Sequence, residues 1–166
     1  MPLVLMYHSV SEYEQDPFQV TVTPQRFERQ LRWMRHYGLR GASVSEVLDG
    51  GGERGLVGLS FDDGYADFAT HVAPALHRYG FGATVYVLAG RLGGHNGWET
   101  SGPRKPLMTS RQVREVAEAG FEVGSHGLRH TSLPAVPAVE VVREVGRSRE
   151  VLEGFTGRPV RGFTYP

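Results

Sequence analysis

Short apolar runs alternate with amphipathic stretches along most of the chain. Residues 3–6, 56–61 and 83–88 form continuous apolar or β-branched runs, which are typical of strands buried on both faces. Shorter runs at residues 121–123 and 160–163 predict two further strands. Five candidate strands are thus spread from the start of the chain to its end.

Between these runs, apolar residues recur at helical spacing. Thr23 and Pro24 read as the cap and first residue of a helix that Gly38 closes. Pro74 should kink a second helix or start a new turn inside it. Helices beyond the first are predicted at residues 43–48, 66–79, 109–119 and about 139–155. A glycine-rich loop is expected at residues 50–55 and a long loop at 89–106.

This alternation of strand and helix predicts an α/β protein with a parallel sheet wrapped by helices. The sheet could be open and doubly wound or closed as a (β/α) barrel. The length of 166 residues fits a single domain over residues 1–166. In both architectures, ligands bind at the carboxyl ends of the strands.

Composition narrows the choice of partners. Lys plus Arg equals Asp plus Glu at 18 each, so no excess positive charge attracts nucleic acid or anionic lipid. The chain has no cysteine, so any metal must be held by His, Asp or Glu. The apolar run at residues 3–6 is too short for a signal peptide or a membrane span. The compartment therefore stays unknown, with an extracytoplasmic location open if a signal was trimmed, and the oligomeric state is not predicted.

Polar residues with chemical potential stand directly after four of the candidate strands. They are Tyr7-His8, Asp62-Asp63-Gly64, Ser125-His126 through His130, and Tyr165-Pro166. Because parallel strands end at one edge of their sheet, these clusters should meet at the same rim.

The two acidic residues and the two histidines suit a metal site. Asp62-Asp63-Gly64 alone could be a simple turn, but adjacent carboxylates repel each other unless a cation neutralises one of them. His126 and His130 have a separation that lets two imidazoles share one metal. With one carboxylate they would form a set that leaves positions open for water and substrate.

Three segments resemble the first three motifs of polysaccharide deacetylases, carbohydrate esterase family four. They are Leu59-Ser60-Phe61-Asp62-Asp63-Gly64, Ser125-His126-Gly127-Leu128-Arg129-His130, and Arg161-Gly162-Phe163-Thr164-Tyr165-Pro166. The resemblance implies a distorted (β/α) barrel and a hydrolase that removes acetyl groups from N-acetylated or O-acetylated polysaccharide.

The resemblance also implies a division of roles. The metal would be held by Asp63, His126 and His130, with zinc as the default and cobalt, nickel or iron suited to the same ligands. Asp62 would be the general base, and Arg161 would position it. The backbone N–H of Tyr165 would face the oxyanion.

The sequence departs from the family pattern in two places. Gly127 stands where the family usually has Ser or Thr to brace the metal loop. The later motifs, including one that supplies a catalytic histidine, would lie beyond Pro166, so the barrel is expected to be incomplete at its C-terminal end. A permuted subgroup, similar to deacetylases of biofilm poly-N-acetylglucosamine, has a Tyr-His element that resembles Tyr7-His8. His8 is therefore the candidate acid, with a structural histidine at a strand end as the equal alternative.

Other functions are also compatible with this sequence. The chain could be a non-catalytic carbohydrate-binding or degenerate deacetylase domain, or a hydrolase of another bond such as a phosphoester. The neutral charge balance and the lack of a phosphate-cradling glycine loop disfavour the phosphoester. Trp98, in the long loop, could stack on a sugar ring.

Overall fold

A computed structural model describes residues 2–50 and 53–166. In chain order its elements are β1 (Leu3–Tyr7), β2 (Ser9–Val10), β3 (Thr21–Val22), α1 (Pro24–His36), β4 (Arg40–Ala42), α2 (Val44–Asp49), β5 (Leu56–Phe61), a π-helical turn (Phe68–Val72), α3 (Ala73–Tyr79), β6 (Thr84–Val87), α4 (Ser110–Glu118), β7 (Glu122–Ser125), a 3₁₀ turn (Leu133–Ala135) and α5 (Ala138–Thr156).

The larger sheet has five strands, and every pair in it is parallel. Its order is β1-β5-β6-β7, and β4 also pairs with β5. The predicted α/β class with a parallel sheet is confirmed. Among the described residues the sheet stays open, because β1 and β7 lie at opposite ends and do not pair with each other. Strands β2 and β3 form a separate two-stranded sheet.

The predicted helix ends agree with the structure. The Thr23 side chain accepts a hydrogen bond from the N–H of Arg26 and caps α1. Thr109 and Gln112 form a reciprocal capping box at the start of α4. Gly80 closes α3 in a left-handed conformation with φ of 67°. The capping residues at these helix ends could therefore be predicted from the sequence.

Aromatic side chains hold the end of β5 in the core. The Phe61 ring is fully buried, and it stacks on Tyr7 with 5.1 Å between ring centroids. Phe27 and Phe68 meet the same ring edge-on at 5.9 Å and 5.1 Å. Because Phe61 is so well packed, the residues that follow it start from a fixed position.

Some predicted elements differ from the observed ones. Residues 160–163 do not form a strand, since only Phe163 makes a bridge, to Ser125, between Pro159 and Pro166. The helix expected over 66–79 is a π-helical turn followed by α3, and Pro74 lies in the first turn of α3. Strand β4 was missed because its three residues contain no apolar run. Within the expected loop at 50–55, Gly51 and Gly52 lie outside the described residues.

No helix in the described part of the chain combines the length and the apolar character that crossing a bilayer requires.

Candidate metal centre

Asp62 and Asp63 stand immediately after β5, at the carboxyl edge of the sheet. The N–H of Asp62 donates to the carbonyl of Tyr7 at 3.0 Å, which ties the ends of β5 and β1 together. Asp63 and Gly64 then adopt left-handed conformations with φ of 70° and 71°. Glycine is favoured at position 64, because its φ is positive and a Cβ there would lie a tight 3.3 Å from Cα of Val87. The chain thus turns sharply after β5 and does not form a hairpin.

His126 and His130 lie in the loop that follows β7. The N–H of His126 donates to the carbonyl of Val87 at 3.0 Å, so the start of the loop is tied to the end of the neighbouring strand β6. Gly127 and His130 both have positive φ, 84° and 63°. A left-handed conformation is uncommon for a histidine and needs support from its surroundings.

The two imidazoles converge on one carboxylate oxygen. The distances to Oδ1 of Asp63 are 3.2 Å from Nε2 of His126 and 3.3 Å from Nε2 of His130. Ligand atoms of the three residues all lie within 4.8 Å of one another. Among the described residues, this oxygen is buried and has no contact with hydrogen-bond geometry.

The hydrogen bonding of His126 shows what its Nε2 presents. Nδ1 lies 3.1 Å from the backbone carbonyl of Thr164, and a carbonyl can only accept, so Nδ1 carries the proton. In the neutral ring, Nε2 is then an unprotonated acceptor that faces the carboxylate of Asp63. Two acceptors this close are stable only if a positive charge lies between them. A metal-bound histidine usually has this arrangement, with its other nitrogen donating to an oxygen.

The pKa of Asp63 also indicates that positive charge is needed beside its carboxylate. Burial alone would raise the pKa of this carboxyl group, but His126 and His130, first as hydrogen-bond donors and then as positive charges, outweigh burial and lower the pKa below its usual value. The site therefore needs positive charge, which protons on the rings or a divalent cation could supply. One carboxylate and two imidazoles are an ordinary donor set for such a cation, so the residues present fit a metal.

Asp62 is a second buried acid beside this set. Its side chain is 6% exposed, and its Oδ1 has no hydrogen-bond partner among the described residues. Burial raises the pKa of Asp62, and the nearby His126 and His8 only partly oppose that shift. A buried carboxyl group without a partner in a polar rim is a candidate for proton transfer.

His8 follows β1 at the same edge and is half-buried. Charge on His8 influences the pKa of Asp62, so the two side chains are electrostatic neighbours. The backbone hydrogen bond from Asp62 to Tyr7, the residue before His8, explains this proximity. The structure therefore brings His8 to the rim where the sequence placed it.

The third motif is divided between the rim and the surface. Phe163 bridges Ser125, and Thr164 supplies the carbonyl that holds His126, so the N–H of Tyr165 follows directly after a contact with a candidate ligand. The side chain of Tyr165 is largely exposed. Arg161 is exposed as well, and no hydrogen bond or ion pair joins it to Asp62 within the part of the chain described. The predicted contact is not formed, since Arg161 lines a surface depression beside Glu122.

Trp98 lies in the site, in a different role from the one suggested for it. Its ring stacks on the ring of His130, with 4.6 Å between centroids and 10° between planes. The guanidinium of Arg91 lies 5.4 Å from the Trp98 ring centroid. Trp98 thus packs against a candidate ligand, and this face of its ring is not available to a sugar.

Glu144 was missed by sequence reasoning. It lies in the middle of α5, is fully buried, and accepts hydrogen bonds from the loop between the two histidines. The available signal was its position four residues before Ser148 and eight before Leu152, on one helical face. An acidic residue on the inner face of a helix needs a polar partner.

The fold and the site together define an α/β protein with an Asp-His-His cluster, able to hold a metal ion, at the carboxyl edge of a parallel sheet. The family description "Polysaccharide deacetylase" matches residues 49–166, most of the chain. The chain belongs to the polysaccharide deacetylase family.

Individual relatives are similar at low sequence identity. The Bacillus subtilis protein YxkH, named as a polysaccharide deacetylase, is 26% identical over 98% of this chain and 55% of its own length. A Staphylococcus aureus poly-beta-1,6-N-acetyl-D-glucosamine N-deacetylase is 20% identical over 88% of this chain and 53% of its own. The chain thus spans about half the length of these curated relatives.

Among solved structures, the deacetylase PplD of Streptococcus pyogenes, determined in complex with acetate, has the same fold. Its TM-score is 0.81 at 24% identity, over 99% of this chain and 73% of that one.

Proposed function

We propose that this protein is a metal-dependent hydrolase that removes acetyl groups from an N-acetylated polysaccharide. The observation that carries the proposal is the convergence of Nε2 of His126 and Nε2 of His130 on one buried oxygen of Asp63. Asp62, a second buried carboxyl group, stands beside them. Family membership supports the type of reaction.

The proposed substrate is a polymer or oligomer of acetylated amino sugar. The Staphylococcus aureus relative is named for its action on poly-beta-1,6-N-acetyl-D-glucosamine, which supports this class of substrate. The balance of 18 basic and 18 acidic residues gives the chain no general attraction for a polyanion.

Asp63, His126 and His130 would hold one divalent ion, and zinc is the first choice for this donor set. When bound, such an ion supplies Lewis acidity and lowers the pKa of water. Asp62, His8 and the N–H of Tyr165 would then carry out the proton transfers and stabilise the charge that develops on the acetyl oxygen.

Asp62 would act as the general base in the attack on the acetyl group. Its carboxylate takes a proton from water while the water oxygen forms a bond to the carbonyl carbon. The raised pKa of Asp62, caused by burial, suits a group that must accept a proton and later release it.

Cleavage of the carbon–nitrogen bond requires a proton on the sugar nitrogen, because an amide anion is a poor leaving group. His8 is the proposed donor, since it lies on the other side of Asp62 from the histidine pair in the order of the strands. The N–H of Tyr165 is the proposed hydrogen-bond donor to the acetyl oxygen as negative charge develops on it. Arg161 would have to reorient before it could position Asp62.

The test is acetate release from a soluble β-1,6-linked N-acetylglucosamine oligomer. We expect release by the purified protein, loss of release after treatment with a chelator, and recovery on addition of Zn²⁺, Co²⁺, Ni²⁺ or Fe²⁺. Oligomer binding without any acetate release, at full metal occupancy, would instead identify a non-catalytic carbohydrate-binding domain.

A further inference from the structure

The carboxylate of Glu144 lies beneath the loop that carries the two candidate histidine ligands. Its side chain is completely buried, although a glutamate is almost never fully buried unless it is paired. The position is in the middle of α5, far from either helix end. Neither capping nor solvent contact therefore accounts for this residue.

The polar contacts of Glu144 all go to this loop. Oε2 accepts from the backbone N–H of Leu128 at 2.6 Å and from that of Arg129 at 3.2 Å. Oε1 accepts from Nε of Arg129 at 3.2 Å and from the hydroxyl of Thr131 at 3.5 Å. Successive backbone N–H groups that point at one oxygen form an anion-binding concavity, and bonds to a charged acceptor are the stronger kind.

The loop has a conformation that requires such support. Gly127 and His130, at either end of the segment that Glu144 holds, both have positive φ. A Cβ on Gly127 would lie 3.1 Å from Oε2 of Glu144, so the carboxylate occupies the space beside this glycine. A side-chain brace at position 127 is thus replaced by an acid that reaches the loop from α5.

A second contact joins the same helix to the start of the loop. The hydroxyls of Ser148 and Ser125 lie 2.6 Å apart, and the Ser125 hydroxyl accepts from the N–H of Gly127 at 3.1 Å. Ser148 is one helical turn after Glu144. The helix therefore holds the loop at two points, before and between the histidines.

We propose that Glu144 is a positioning residue for the metal centre, which sets the separation of His126 and His130 through the backbone N–H groups of Leu128 and Arg129. This inference rests on the proposed function, because it assumes that the two histidines bind a metal. Glu144 is not one of the residues that would hold the ion. Its effect is to fix the loop before the ion arrives, so that binding does not have to order it.

The experiment measures binding of Zn²⁺ alone by competition with a chromophoric chelator. Glu144→Leu should weaken Zn²⁺ affinity by about 10- to 100-fold, the scale typical of outer-shell residues. Glu144→Asp should also weaken it, since the shorter side chain cannot reach both N–H groups. Glu144→Gln should stay within a few-fold of the parent protein, because its amide oxygen can still accept from the backbone. The absorption spectrum of bound Co²⁺ should differ from that of the parent protein in Glu144→Leu and Glu144→Asp, but not in Glu144→Gln.

Two controls separate this role from simpler ones. Glu150 is on the same helix but is exposed and pairs with Arg147, so Glu150→Leu should leave Zn²⁺ affinity unchanged. Arg129→Met removes the ion pair with Glu144 but keeps both backbone bonds, and it should cost less affinity than Glu144→Leu.

The outcomes are decisive even if Glu144→Leu does not fold. Parent-like affinity and Co²⁺ spectrum in Glu144→Asp would overturn the proposal. The proposal would also be overturned if Glu144→Gln or Arg129→Met lost as much Zn²⁺ affinity as Glu144→Leu or Glu144→Asp. In that case the charge of Glu144 or its ion pair with Arg129, and not the bonds to the backbone, would explain the effect. If the parent protein binds no Zn²⁺, the metal centre itself is wrong. In that case, hydrogen exchange at the amides of Leu128 and Arg129 in the metal-free protein still reports whether Glu144 holds the loop.

Discussion

Nε2 of His126 lies 3.2 Å from Oδ1 of Asp63, while Nδ1 of the same ring faces the carbonyl of Thr164 at 3.1 Å. The contact with Thr164 determines which nitrogen of the ring carries the proton, and therefore what Nε2 presents to Asp63. Because the carbonyl accepts a hydrogen bond from Nδ1–H, Nε2 of the neutral ring presents a lone pair to a carboxylate oxygen. Asp63 is held at the end of β5, and the bridge between Ser125 and Phe163 holds the segments on either side of the His126 ring. The ring and the carboxylate are therefore kept close together by the backbone.

We therefore expect one divalent ion per chain, held by Asp63, His126 and His130. Asp63→Ala or His126→Ala should abolish stoichiometric metal binding, because each removes one of three ligands. Elemental analysis after dialysis against Zn²⁺ measures this directly. His36→Ala is the control, since His36 is exposed on α1 and should not contribute. Full occupancy in both ligand variants would refute the assignment.

Asp62 should affect turnover and not metal content. Asp62→Asn keeps the size of the side chain but removes its capacity to accept a proton. Acetate release should fall by about a hundredfold or more, the usual scale for loss of a general base, while bound metal stays near the parent level. Asp49→Asn, at the exposed end of α2, is the matched control. Near-normal acetate release by Asp62→Asn would exclude the role of base.

Trp98 should contribute to metal affinity through its stack on His130. Trp98→Ala leaves one face of that ring unsupported, and we expect about two- to tenfold weaker Zn²⁺ binding, equivalent to the ~0.5–1.5 kcal/mol of an aromatic pair. Trp98→Phe should retain most of the affinity. Trp33→Ala is the control, because Trp33 is exposed on α1. A loss of polymer binding with unchanged Zn²⁺ affinity would show that Trp98 contacts the sugar instead.

The strands and helices with strong local signals could be predicted from the sequence. Thr23 and Thr109 cap helices where expected, and β5 matches its apolar run residue by residue. Strand β4 could not be found in this way, since its pairing with β5 depends on contacts that are distant in the chain. Residues 160–163 show the opposite error, because an apolar run has strand character but forms a ladder only where a partner is available.

The clustering of the three candidate ligands was predictable from the sequence, whereas their surroundings were less so. The placement of Asp63, His126 and His130 follows from their positions after parallel strands, together with the motif resemblance. Glu144 lies on a helix, in a region that no motif covered, and only the packing of α5 against β7 brings it to the loop. Arg161 makes no contact with Asp62 among the described residues, because a motif gives a residue's position and not the direction of its side chain.

Two glycine-to-alanine changes should have opposite effects on stability. At Gly124, a Cβ would overlap the buried ring of Tyr86, so Gly124→Ala should destabilise the fold by about 1–3 kcal/mol. At Gly146, inside α5, a Cβ would meet open space, and Gly146→Ala should stabilise it by up to ~1 kcal/mol through helix propensity. Chemical denaturation of the two variants measures both. Equal shifts of the same sign would contradict this account of Tyr86 packing over β7.

His8 lies at the rim, where its charge influences the pKa of Asp62. Proximity is compatible with an acid and with a structural histidine, so the test must depend on the proton. An N-acetyl amide needs a proton on its leaving nitrogen, whereas an activated aryl acetate leaves without one. His8→Ala should therefore reduce amide turnover far more than aryl acetate turnover.

The comparison uses kcat for both substrates at equal metal occupancy, with His36→Ala as the control on α1. If His8 supplies the proton, the amide should lose about a hundredfold and the aryl ester much less. The ratio of the two rates is then the diagnostic quantity, because misfolding or partial loss of metal lowers both together. Equal losses on the two substrates would make His8 a structural residue of the β1 end, and the proton would have to come from another group.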